Sequence, residues 1–131
     1  MLFLGDNMND CIFCKILNGD IPSKKVYEDD KVVAIMDVNP KVDGHTLVIP
    51  KKHVTDFTEL SDEDVLDIFK VAKYLGPKMM NKLGARALTC GINYGDSQAV
   101  KHVHLHLLPD YTIKEKSDRD LDEIYEIIKE D

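Results

Sequence analysis

Lys101-His102-Val103-His104-Leu105-His106-Leu107-Leu108-Pro109 holds three of the chain's five histidines, at alternate positions with apolar residues between them. Such alternation predicts a β-strand, because successive side chains point to opposite faces of a sheet. Val103, Leu105 and Leu107 are expected to face the core. His102, His104 and His106 then share the other face, each about 6.5–7 Å from the next on a strand rising about 3.3 Å per residue. A neutral imidazole buried without a partner costs free energy. Three on one face call for water, a ligand, a metal or a catalytic task.

The 131 residues amount to one domain, long enough to bury a core without disulfides. A net charge of −7 argues against tight binding to a nucleic-acid backbone, although a local basic patch is compatible with a small phosphate. No apolar run approaches a membrane span. Met1-Leu2-Phe3-Leu4 is too short for a signal-peptide core, so residues 1–9 read as a flexible extension and the expected location is cytoplasmic. Three cysteines, an odd number, speak against a disulfide framework there.

The chain before the histidines reads as strand and turn. Lys25–Glu28 and Val32–Asp37 are short strands around an Asp29-Asp30 turn. His45–Ile49 is a third strand stopped by Pro50, after a loop punctuated by Asn39-Pro40 and Asp43-Gly44. Connections this short predict an antiparallel meander. A long amphipathic helix follows. Ser61 is its N-cap, with Asp64 as a weaker stand-in for a capping-box glutamate, and Gly84 its C-cap. Pro77 lies inside its apolar stripe, so a kink or break is expected near Gly76. Ala87–Asn93 is a fourth strand, with Cys90 expected to be buried in packing and given no role. Ser117 is placed as the cap of a final helix through Leu121, Ile124, Tyr125, Ile127 and Ile128.

Two groups of residues hold the chemistry. Cys11-Ile12-Phe13-Cys14 is a CxxC whose spacing lets a tight turn present both sulfurs to one ion, or form a redox pair, or leave two free thiols. With His53 and one histidine of the triad it makes a tetrahedral zinc set, since sulfur with imidazole favours Zn2+ over Mg2+ or Ca2+. The second group is His104 and His106 beside the polar loop Gly95–Gln98. One imidazole attacks phosphorus or carbonyl carbon when its other nitrogen is held by a hydrogen bond, while a neighbour stabilises developing charge. Asn93 and Gln98 add donors. His45 either joins this cluster or is a satisfied structural histidine.

His102-Val-His104-Leu-His106-Leu-Leu resembles the signature of the histidine triad (HIT) family, and the likeness extends through Cys11–Ile16, Ile21-Pro22, Val26–Asp30, Gly44–His53 and Gln98–His102. It covers roughly residues 10 to 111, in what looks like the bacterial-type Hint branch. The resemblance implies an α+β fold, a single HIT domain over 10–131 whose tail diverges from about residue 112. It also implies a five-stranded antiparallel sheet with one long helix and a C-terminal helix, the sheet continuing across a homodimer.

The resemblance further implies hydrolysis or transfer at the α-phosphate of a purine nucleotide conjugate. His104 is the implied nucleophile, forming a nucleotidyl-histidine, and His106 the phosphate contact. His45 joins the catalytic network and Gln98 assists the leaving group. Asp37 bonds the ribose, Ile35 and Phe13 line the base pocket, and Asn93, Val38, Ala99 and Val100 complete the nucleotide site. Cys11, Cys14, His53 and His102 match the ligands of a structural zinc, and no catalytic metal is required. Eukaryotic-type phosphoramidases of the family have serine where this chain has Ala99, a group tied to protonating an amine leaving group. Gln98-Ala99-Val100-Lys101 also resembles the dinucleoside polyphosphate hydrolase branch. A zinc-dependent hydrolase with metal on the triad, and a nucleotide-binding scaffold with little turnover, are the rival expectations. Neither nucleic acid nor membrane is an expected partner.

Overall fold

A computed structural model describes residues 10–130, so the expected N-terminal extension at 1–9 lies outside the described residues. Five antiparallel strands form one sheet in the order β1-β2-β3-β5-β4. They are β1 (Lys25–Glu28), β2 (Val32–Met36), β3 (Thr46–Pro50), β4 (Leu88–Ile92) and β5 (Leu105–Pro109). The first three make the expected meander. Helix α2 (Asp62–Leu83) then carries the chain to β4, and β5 returns between β3 and β4. The two remaining α-helices among the described residues are α1 (Ile12–Leu17) and α3 (Leu121–Ile128).

Both sheet faces are covered. On one, Val32, Ala34, Met36, Val48, Leu105 and Leu107 meet Ile68, Val71, Leu75 and Met79 of α2, with Ile124 and Ile128 of α3. On the other, Val33, Ile35, Leu47 and Ile49 pack with Phe13, Cys14 and Ile16 of α1. That explains why β2 and β3 are apolar at nearly every position instead of alternating. Burying a side chain the size of Ile68 or Leu75 contributes about 1.5–3 kcal/mol.

Helix α2 starts as its sequence demands. Ser61 Oγ accepts the Asp64 N–H at 3.0 Å and Asp64 Oδ2 accepts the Ser61 N–H at 3.1 Å, so aspartate completes the box. Gly84 ends the helix at φ +66. The expected break at Gly76 is absent: α2 is one continuous helix through Pro77. Proline in a helix interior costs about 3 kcal/mol, and the apolar stripe packed on both sides of Pro77 outweighs it.

Two further expectations are corrected. Ser117 does not cap the last helix; Asp120 does, through a capping box with Glu123, and Ser117 is engaged elsewhere. Cys90 is exposed, not buried, because β4 is an edge strand with a neighbour on one side only. The turn into β3 depends on Gly44. Its φ is +84, and a Cβ there would lie 2.7 Å from Leu83 Cδ1 and 3.4 Å from Pro109 Cγ. Glycine alone lets this turn close against the end of α2 and deliver His45 to the sheet.

Candidate functional site

β5 begins at Leu105, three residues later than the alternation predicts. Residues 101–104 run irregularly instead, held where the Val103 N–H donates to the Val54 carbonyl at 2.8 Å. The histidines therefore divide. Leu105 and Leu107 face the α2 side of the core as expected, and His102 turns away from the other two.

His102 and His53 face the CxxC. Cys11 is the N-cap of α1, its sulfur accepting the Cys14 N–H at 3.4 Å. His102 Nδ1 lies 3.3 Å from Cys11 Sγ and 3.6 Å from Cys14 Sγ, and His53 Nδ1 lies 3.2 Å from Cys14 Sγ. All four donor atoms fall within 4.8 Å of one another. A tetrahedral ion with metal–sulfur bonds of about 2.3 Å and metal–nitrogen bonds of about 2.0–2.1 Å holds S and N about 3.5 Å apart. The donor set fits such an ion. The His102 Nε2–H donates to the Pro50 carbonyl at 2.8 Å, which leaves the Nδ1 lone pair facing the sulfurs. Burial and the adjacent Cys11 sulfur push the Cys14 thiol up to about 12, and burial brings His102 down to about 4. His53 Nε2 is buried without a hydrogen-bond partner among the described residues, so no such bond fixes its tautomer.

His104 is held through its backbone neighbour. A carbonyl only accepts, so the 2.8 Å contact between His104 Nδ1 and the His102 carbonyl places the proton on Nδ1. The neutral ring then offers its lone pair at Nε2. Burial lowers the His104 pKa from its ordinary value, so the ring is neutral near pH 7. The Phe13 ring packs edge-on against His104 at 5.0 Å and against His102 at 5.8 Å.

His45 and His106 form an ordered relay. The Lys41 N–H donates to His45 Nδ1 at 3.1 Å, so the neutral His45 ring carries its proton on Nε2. That proton goes to His106 Nδ1 at 2.9 Å, with Asp37 Oδ2 also 3.5 Å from His45 Nε2. His106 must then carry its own proton on Nε2, which lies 3.3 Å from Asn93 Nδ2; two donors would face each other there, so the tautomer requires the amide turned to present its oxygen. Burial, reinforced by His104 and His45, brings His106 down to about 4, and burial also lowers His45. His104 and His106 lie side by side, ring centroids 4.8 Å apart. The arrangement offers one lone pair at His104 and one N–H donor at His106, a pairing suited to in-line attack on a charged tetrahedral centre.

The remaining expected residues divide as well. Phe13 and Ile35 share the apolar cluster under the site, and Val100 packs at its edge. Val38 and Ala99 are exposed. Gln98 is buried, its amide donating to the Thr55 carbonyl, and no hydrogen bond joins it to a histidine among the described residues. The backbone N–H of Lys41 and carbonyls of Pro50 and Thr55 escaped the sequence, since main-chain donors and acceptors leave no mark in residue type. Helix α1 did leave one: Ile12, Phe13, Ile16 and Leu17 recur at helical spacing after Cys11.

A HIT domain family model matches residues 18–113. An uncharacterised HIT-like protein of Methanocaldococcus jannaschii is 43% identical over 128 residues, covering 91% of this chain and 98% of its own. The adenosine 5'-monophosphoramidase of Schizosaccharomyces pombe is 43% identical over 103 residues, covering 76% of this chain and 73% of its own. Among solved structures, a zinc-bound histidine triad family protein from Mycobacterium smegmatis superposes with a TM-score of 0.83 at 32% identity, covering 93% of this chain and 92% of that one. With the five-stranded antiparallel sheet and its helices in place, and three histidines divided between a thiol cluster and an ordered relay, the chain belongs to the HIT family.

Proposed function

We propose that the protein hydrolyses or transfers purine nucleotide conjugates at the α-phosphate, through a nucleotidyl-histidine on His104. The observation that supports it most is the bond from His104 Nδ1 to the His102 carbonyl, which leaves Nε2 as the attacking atom. The Nε2 lone pair attacks phosphorus, the bond to the leaving group breaks, and the leaving group takes up a proton from solvent. Positive charge appears on the His104 ring as the N–P bond forms, and the carbonyl at Nδ1–H stabilises it. The His106 Nε2–H donates to a non-bridging oxygen, held in that tautomer by His45. Water then attacks phosphorus and gives up a proton to solvent, the N–P bond breaks with its electron pair returning to Nε2, and His104 is neutral again. Asp37 bonds the ribose hydroxyls, with Phe13 and Ile35 against the base; Val38, Val100 and Ala99 line the rim, and Asn93 and Gln98 serve the phosphate and leaving group. The substrate class favoured is a nucleoside phosphoramidate, in keeping with the fission yeast relative. No helix among the described residues is long and apolar enough to cross a membrane.

A panel of AMP and GMP phosphoramidates beside diadenosine polyphosphates tests this. Release of nucleoside monophosphate from the phosphoramidates is expected. Nucleotide binding without release from any member would instead make the protein a scaffold.

Cys11, Cys14, His53 and His102 would hold a structural zinc ion, joining the chain's N-terminal helix to the end of β3 and the entry to β5. When bound, the ion supplies charge and cross-linking, not a reacting ligand.

The protein is also proposed to be a homodimer with the sheet continuing through β4. In support, β4 is an edge strand, and Phe69 on α2 is 42% exposed, as are Leu66 at 57% and Tyr94 at 56%. Phe69 lies seven residues before Gly76, which packs on Leu88 of β4, so Phe69 shares the helix face that meets this strand. Phe69→Asp should convert a dimer to a monomer in sedimentation equilibrium; a wild-type monomer would refute the assembly.

A further inference from the structure

Residues 114–130 lie beyond the family match, yet they reach back to the loop that carries His45. The Ser117 N–H donates to Asp43 Oδ1 at 3.2 Å, and Arg119 Nη2 donates to Asp43 Oδ2 at 3.3 Å. Ser117 Oγ in turn accepts from the Arg119 backbone N–H at 3.2 Å, so the two contacts form one unit. The tail is anchored on both sides of that unit. Before it, the Lys114 N–H donates to the Asp110 carbonyl at 3.1 Å. After it, α3 starts at the Asp120 cap and buries Ile124 and Ile128 in the core.

The loop on the receiving end is short and consequential. The Asp43 side chain is only 13% exposed, between buried Val42 and Gly44. The Val42 carbonyl accepts the His45 N–H at 3.2 Å, and the Lys41 N–H, one residue earlier, holds His45 Nδ1. Displacing Asp43 moves both. Without the Lys41 bond, only the Asp37 carboxylate, 3.5 Å from His45 Nε2, still favours the proton there, and His106 loses the short bond network that fixes its tautomer.

We propose that Asp43 is a positioning residue, clamped by Ser117 and Arg119 of the divergent tail so that the Lys41–His45–His106 relay points its last N–H at the phosphate. The catalytic half of this inference rests on the hydrolase function proposed above. A merely structural role does not account for the clamp, because an ion pair with Arg119 side chain 43% exposed stabilises little. Its effect is geometric, and misplacement of a catalytic group by about 1 Å is enough for about a hundredfold loss of rate.

The test uses Asp43→Ala, Arg119→Ala and Asp43→Asn in the full chain, read by steady-state kinetics on an AMP phosphoramidate and by 15N shifts of the His45 and His106 rings. In the two alanine variants kcat should fall about tenfold to a hundredfold with KM within about twofold. Their His45 Nδ1 shift should lose its acceptor character. Asp43→Asn keeps an oxygen for the Ser117 N–H and should recover part of both. His45 and His106 shifts identical to wild type in Arg119→Ala, an exposed and well-tolerated position, would overturn the clamp. Absence of wild-type turnover would defeat the hydrolase function instead, with the ring shifts still deciding whether the tail holds the relay.

Discussion

His104→Ala should leave a folded protein that binds nucleotide and has lost at least about a thousandfold in kcat, since removing a nucleophile removes the covalent route entirely. Folding should survive because the ring lies at the rim of the apolar cluster, touching Phe13 and His106, while the sheet bonds of β5 begin one residue later. Binding should survive because the proposed ribose and base contacts lie on Asp37, Ile35 and Phe13. The pH profile of the wild type should share this origin. Burial holds the His104 pKa below 6.5, so the neutral nucleophile persists as pH falls through that value, and the acid loss of rate comes lower. His104→Ala retaining hydrolysis near the wild-type rate would remove the covalent mechanism.

Cys11→Ser should have the second large effect, on metal content and stability. Serine retains an N-cap oxygen for α1, so the substitution separates loss of a ligand from loss of a cap. A thousandfold weaker zinc affinity removes about 4 kcal/mol of binding-linked stability, which corresponds to a fall of more than about 10 °C in Tm for a domain of this size. Metal analysis and thermal unfolding of the purified protein measure both. An unchanged metal ratio would mean a different ligand set. The same experiment separates the rival in which the triad itself holds a catalytic metal, because there removing zinc abolishes chemistry before it abolishes folding. His102 links the two sites by covalent geometry: Nδ1 faces the sulfurs, Nε2–H is held by Pro50, and its carbonyl holds His104 Nδ1–H.

Much of this was legible in the sequence, for identifiable reasons. Apolar runs at 32–36 and 46–50 and the alternation at 105–109 are strand signals that depend on burial alone, and Ser61, Asp64 and Gly84 are end signals that depend on local bonds. The division of the histidines was readable only with the CxxC in view. What escaped depends on distant partners. Val103 leaves the strand because Val54 claims its N–H, and Cys90 is exposed because, among the described residues of the chain, β4 pairs on one side only. Pro77 is tolerated because packing outweighs a local penalty. The tautomers of His45 and His102 are set by the Lys41 N–H and the Pro50 carbonyl, groups any residue could supply.

The most direct test of the central claim is to mix the wild-type protein with an AMP phosphoramidate, quench within a turnover, and map the adduct by mass spectrometry under conditions that preserve phosphohistidine. An adenylyl group on the peptide carrying His104, absent from His104→Ala, is the predicted result. Turnover proceeding with no adduct at any time point, or with the adduct on another residue, would contradict it.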